Sequence, residues 1–143
     1  VKPINIMKSI RKINLNYQKG EDGDLVAAQG CSDSVPFSIA RVFNVRANKG
    51  ITRGRHAHRE CTQILICSNG KVKVTCDNGS ETSVYILDKP NQGLLIEPGI
   101  WSEQMYIDEH TLLTVLCDFP YDETDYIRNY DDFLKYKANN NSQ

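Results

Sequence analysis

The feature that most constrains the fold is a rhythm. From Pro36 to Phe119, short runs rich in β-branched and aromatic residues alternate with turn-forming clusters at a spacing of roughly 8–12 residues. "PFSIARVFNV" (36–45) opens the series, and "TQILIC" (62–67), "KVKVTC" (71–76) and "ETSVYIL" (81–87) read as a three-strand meander folded at "SNG" and "DNG". Asn-Gly readily adopts the positive φ of a tight hairpin turn, so both points are strong turn signals. After a break at "DKPNQ" (88–92), "GLLIEP" (93–98), "IWSEQMYI" (100–107) and "HTLLTVLCDF" (110–119) extend again. The expectation is all-β: an antiparallel sandwich or barrel.

One segment changes period. Beyond Thr124 and Asp125, which can cap a helix, Tyr126, Ile127, Tyr130, Phe133 and Leu134 follow helical spacing. This predicts a short C-terminal helix packed on the barrel, beginning at Asp125. The polar "ANNNSQ" (138–143) reads as a disordered tail, and no linker or repeat divides residues 1–143, which form one domain.

Charge and cysteine content exclude several classes of function. Seventeen Lys and Arg against eighteen Asp and Glu leave a net charge of −1, with no electrostatic footprint for nucleic acid or an anionic membrane. The five cysteines (31, 61, 67, 76, 117) are odd in number and contain no Cys-x-x-Cys pair, which suits free thiols in a reducing compartment. "VKPINIMKSIRKINL" lacks the apolar region of a signal peptide, and a soluble cytoplasmic protein is expected.

Chemistry concentrates in "ITRGRHAHRECTQILICSNG" (51–70). His56 and His58 are two apart in a strand-like run and therefore project from one face. With Gly50, Gln63 and Gly70 they resemble the first motif of the cupin superfamily, small jelly-roll barrels in which two histidines and a glutamate bind a metal; Gln63 stands in the glutamate's place. "GLLIEPGIWSEQ" (93–104) resembles the second cupin motif, with Ser102 about where a third histidine belongs. Exchanging a carboxylate and an imidazole for an amide and a hydroxyl removes the charge and the basic nitrogen that hold a first-row divalent ion, so no metal is expected. The pair is then left for acid–base work, since imidazole both takes and gives a proton near neutral pH, or for an inert buried role. Arg53, Arg55 and Arg59 around it suit an anionic small molecule such as a nucleotide-linked sugar.

"RGRHAHRECTQ" (53–63), "GLLIEPGIW" (93–101), "PFSIARVF" (36–43) and "YDETDYIRNYDDF" (121–133) together resemble the dTDP-4-keto-6-deoxy-D-glucose 3,4-ketoisomerases, cofactorless cupins of bacterial surface-sugar and lipopolysaccharide biosynthesis. The resemblance implies a cupin double-stranded β-helix (jelly-roll barrel) that uses no cofactor and moves a keto group from C4 to C3 of a dTDP-linked sugar. It implies His56 and His58 as the catalytic pair, and a homodimer exchanging N-terminal strands from about residues 1–20. Arg41 or Arg53 is expected to bind the pyrophosphate or the keto oxygen, Gln63 the sugar or an imidazole, and Trp101 to wall the sugar site. At Ser102 and Asp22 the chain departs from the family's larger polar residues, and both positions are expected to line the sugar pocket. The "DYIR" of the tail reads as part of the packed helix, outside the catalytic set. A 3,5-epimerase or a non-catalytic sugar-binding cupin would use a related barrel.

Overall fold

The computed structural model of the chain describes residues 9–141. The first eight residues of the expected N-terminal strand segment, and residues 142–143 of the expected tail, lie outside them. Among the described residues, twelve strands run in chain order: β1 (Ile10–Asn14), β2 (Asn16–Gly20), β3 (Gly23–Ala27), β4 (Arg41–Arg46), β5 (Thr52–His58), β6 (Gln63–Asn69), β7 (Val72–Asp77), β8 (Thr82–Leu87), β9 (Gln92–Ile96), β10 (Trp101–Tyr106), β11 (Leu112–Cys117) and β12 (Tyr126–Ile127). A helix, α1 (Tyr130–Asn141), follows. Two five-stranded antiparallel sheets face each other, ordered β1-β9-β6-β11-β4 and β12-β5-β10-β7-β8, while β2 and β3 form a separate hairpin. This is the jelly-roll arrangement expected of a cupin.

The meander expectation holds for half of its length. β7 and β8 form a hairpin, and its turn is fastened by the Asp77 carboxylate, which accepts the Gly79 N–H, and by Asn78 Oδ1, which accepts from Ser80 and Glu81. β6 and β7, however, belong to different sheets. The first five residues of β6 are all buried, so that strand must be covered on both faces, and it lies between β9 and β11 rather than at an edge. "SNG" is therefore a corner. Gly70 takes φ 85° there and presses against Thr111, whose Oγ1 would stand 2.5 Å from an added Cβ.

Alternation distributes the apolar residues over three layers. Leu65, Cys67, Leu94, Leu113 and Val115 of one sheet meet Val72, Val74, Cys76, Leu87 and Tyr106 of the other. Ile64, Ile66, Leu95 and Leu116 point out of the first sheet and are covered by Val35, Phe37 and Ile39. Residues 36–40 thus form a covering loop, and the strand expected over 36–45 begins at Arg41. On the outside of the second sheet, Ala57, Trp101 and Ile127 receive Phe133 of α1.

The C-terminal helix starts five residues later than its periodicity suggests. Glu123–Asp125 is a single 3₁₀ turn, Tyr126–Ile127 pair with β5, and Asn129 caps α1 by accepting the Asp132 N–H on Oδ1. α1 then continues to Asn141, so most of the segment read as tail is helical.

Candidate active site

The site is built on an irregularity in β5. Its pairing with β10 shifts between Ser102 and Glu103: Gln104 lies opposite Arg53, Glu103 opposite Gly54, and Ser102 opposite His56. Arg55 is the extra residue, at φ 60°, beside Gly54 at φ 90°. A β-bulge of this kind re-aims the side chains that follow it. Arg53 and His56 are three apart and would fall on opposite faces of a regular strand, yet both line one cavity of about 280 Å³. Gly54 also lets Gln104 approach, since a Cβ there would sit 2.4 Å from Gln104 Oε1.

Arg41, Arg53, His56, Gln63, Tyr126 and Arg128 contribute to the wall of this cavity. His58 stands behind His56, its ring edge-on to that of His56 with centroids 5.0 Å apart. The His58 Nδ1–H donates to Asp125 Oδ2 at 2.7 Å, and the other Asp125 oxygen accepts the backbone N–H of Glu60. That contact fixes the His58 tautomer and leaves its Nε2 as a lone pair. Nε2 of His58 and Nδ1 of His56 are both buried, with no hydrogen-bond partner among the described residues. Burial, and then the neighbouring His58, hold His56 down at about 4. Burial also lowers His58, although Asp125 opposes the shift. Both imidazoles are consequently neutral at pH 7 and able to accept a proton.

Aromatic rings and guanidinium groups frame the opening. Tyr126 packs on His56 and His58 with centroid separations of 5.0 and 4.5 Å, and its hydroxyl accepts from Arg41 at 3.2 Å. Arg128 lies over the same ring at 4.2 Å and is held by two bonds to Glu123, while Tyr121 donates to that carboxylate. Arg41 also covers the rings of Phe43 and Tyr121.

Several expected residues lie elsewhere. Strand alternation turns Trp101 away from the cavity to the outer face, where it meets Tyr130 and Phe133 and its indole N–H donates to Glu103. It anchors α1 and does not wall the site. Ser102 points inward but behind the lining, its Oγ accepting from Gln104. Arg55 faces outward toward Glu103, and Arg59 is occupied by the carbonyls of Thr124 and Tyr126. Asp22 occupies the turn of the exposed β2–β3 hairpin, outside the cavity wall.

A metal does not fit the cupin ligand positions. Gln63 turns its amide N–H toward Cys117 Sγ, Ser102 is occupied by Gln104, and Nδ1 of His58 is held by Asp125. His58, Cys61 and Asp125 have donor atoms within 4.8 Å of one another, but the carboxylate is already committed to His58 and Glu60. The groups that line the cavity with His56 are arginines, amides, aromatic rings and apolar side chains, none of them an anionic ligand.

Asp125, Tyr126, Arg128 and Gln104 belong to the site and were not identified in the sequence. The first three sit in "DYIR", where helical periodicity masked a two-residue strand. The available signal was Asp-Tyr-Ile itself, a charged residue and an apolar one flanking a tyrosine with period two, but a run of three is too short to outweigh a longer helical pattern.

Comparison with known proteins identifies the family. Residues 7–138 match the family described as "FdtA: WxcM-like, C-terminal". The chain is 41% identical over 127 residues to the TDP-4-oxo-6-deoxy-α-D-glucose-3,4-oxoisomerase of Aneurinibacillus thermoaerophilus, covering 87% of this chain and 91% of that one. The crystal structure of QdtA, a sugar 3,4-ketoisomerase from Thermoanaerobacterium thermosaccharolyticum in complex with TDP, superposes with a TM-score of 0.88 at 36% identity, covering 94% of this chain and 98% of that chain. A 3,4-ketoisomerase from Helicobacter canadensis gives a TM-score of 0.86 at 32% identity, over 90% and 97% of the two chains. With a matching jelly roll and sequence similarity along almost its whole length, the chain belongs to the FdtA family of sugar 3,4-ketoisomerases.

Proposed function

We infer that the protein is a 3,4-ketoisomerase acting on a TDP-linked 4-keto-6-deoxyhexose and that His56 is the base that meets the sugar. The observation that carries the assignment of the base is the neutral His56 at the cavity wall with the Asp125-fastened His58 behind it. A C–H beside a ketone is a very weak acid, so the enzyme must remove it with a placed base and stabilise the enediolate that forms. His56 takes the proton from C3. The electron pair moves into a C3–C4 double bond, charge collects on O4, and His56 returns a proton to C4. His58, fastened by Asp125, packs edge-on against His56 and keeps that ring in place.

Arg41, Arg53 and Arg128 supply positive charge around the same cavity, suited to a pyrophosphate and to the negative oxygen at C4. Gln63 keeps its carbonyl oxygen for a sugar hydroxyl, and Ser102 acts on the substrate through Gln104. Proton NMR of the nucleotide sugar in D₂O, with EDTA present, tests the reading. Deuterium at C4 with a moved carbonyl is expected. Exchange at C3 and C5 with the carbonyl unmoved would make the protein an epimerase, and no exchange would make it a binding module.

The working form in this reading is a homodimer. All five residues of β2 and four of the five in β3 are exposed, with Leu25 and Tyr17 among the open apolar groups, and Val42 is exposed on the edge strand β4. β1 is the opposite edge and contributes one strand to β9, an antiparallel pairing that a second copy can make equally well. Five free cysteines fit a cytoplasmic setting.

A further inference from the structure

We propose that Glu123, which stands outside the cavity wall, is a positioning residue for anion binding: its carboxylate sets the guanidinium of Arg128 and the ring of Tyr121 at the mouth, where the diphosphate of the substrate arrives. This rests on the reading above that the substrate is a TDP-linked sugar. Glu123 opens the 3₁₀ turn between β11 and β12. Its Oε2 accepts from Arg128 Nε at 2.7 Å and its Oε1 from Arg128 Nη2 at 3.0 Å, a two-pronged pairing that fixes the plane of the guanidinium as well as its distance. Oε1 also accepts from the Tyr121 hydroxyl at 2.7 Å. Arg128 and Tyr121 line the cavity, and Glu123 does not.

The anchor reaches two arginines. Arg128 lies over the Tyr126 ring at 4.2 Å, and the Tyr121 ring carries Arg41 at 5.0 Å. Nη1 of Arg128 makes no hydrogen bond to the described residues and is left for a ligand. Arg128, and then Tyr121, hold the Glu123 carboxyl down at about 2, so it is charged at any working pH. The pair adds little to the stability of the fold, because half of each side chain is open to solvent. The turn does not depend on it either: Asp122 Oδ1 accepts the N–H and the hydroxyl of Thr124, and Asp125 is fastened to His58 and Glu60. What the carboxylate supplies is order at the mouth.

Two effects oppose each other in Glu123→Gln. Removing a negative charge favours an anionic ligand, whereas releasing Arg128 from its fork disfavours it. The first is a screened, longer-range effect at an exposed position and the second is a lost contact, so the second prevails. By NMR titration, the Kd for dTDP should rise at least about tenfold, the worth of a hydrogen bond to a charged group, while that for thymidine, which has no phosphate, should stay within about twofold. The melting temperature should match that of the unmodified protein. Arg128→Lys keeps the charge without the fork and should give the same selective loss, and combining the two changes should cost little more than either. Unchanged or tighter dTDP binding in Glu123→Gln overturns the proposal. So does an equal loss for dTDP and thymidine, which would make Glu123 only a structural part of the mouth, and so does full additivity with Arg128→Lys. If the unmodified protein binds dTDP and isomerises while Glu123→Gln binds dTDP equally well, the positioning role alone fails. If the unmodified protein neither binds dTDP nor isomerises, the ketoisomerase reading fails with it.

Discussion

Nδ1 of His58 lies 2.7 Å from Oδ2 of Asp125, a residue 67 positions away in the chain, and both side chains are buried. The contact orients an imidazole that packs against His56. Asp125→Asn should preserve the shape but remove the charge and allow the wrong tautomer, lowering kcat by about 10²–10⁴. Binding of dTDP should change little, because Asp125 does not line the cavity. Steady-state kinetics with calorimetric dTDP binding checks this, and a variant with near-normal kcat would remove Asp125 from the mechanism.

His56→Asn and His58→Asn should each fold and bind dTDP while losing about 10²–10⁴ in turnover. Their losses should be non-additive, because two rings acting as one unit cannot be removed twice. If the pair were only architecture, each change would instead cost roughly 1–3 kcal/mol of stability and residual turnover would follow the folded fraction. A double variant with more than about a tenth of normal turnover would contradict the assignment.

Acid should destabilise the fold through His56. Burial and the neighbouring His58 lower it to about 4 in the folded state, against about 6.5 in an unfolded chain. Between those values the unfolded chain binds the extra proton, so stability is fully present above pH 6.5 and falls as pH drops toward 4, by at most about 3 kcal/mol. Thermal melting from pH 7 to pH 5 should show this loss in the unmodified protein and a smaller one in His56→Asn. Equal slopes would mean that His56 is not held neutral by the fold.

The dimer is testable by mass and by edge. Sedimentation equilibrium at micromolar concentration should report twice the 16.2 kDa chain mass. Leu25→Asp, at the exposed β2–β3 hairpin, should weaken the association without unfolding the barrel, since no core residue contacts are removed. A monomer mass for the unmodified protein would count against strand exchange.

Residue pattern was sufficient for the barrel, because period two and turn chemistry are local properties that each strand carries alone. It was also sufficient for His56 and His58 on one strand, whereas Arg41 and Arg53 were expected at the site only through the resemblance to the ketoisomerases. Sheet membership was not local. "SNG" looks like a hairpin, yet β6 is apolar on both faces and is drawn between two neighbours, which makes Gly70 a corner between sheets. Arg53 reached the wall only because the Gly54–Arg55 bulge advanced the register by one residue. Trp101 fell outside because alternation in β10, anchored by buried Gln104 and Tyr106, leaves it the opposite face under α1. Asp125 and Tyr126 became part of the site through a two-residue pairing with β5, too short to register as a pattern and strong only because His58 and Ala57 supply the other half of it. The sequence by itself determined the all-β class and the histidine pair; the tertiary structure decided which carboxylate, phenol and guanidinium groups surround that pair, because those contacts join segments that have no periodicity in common.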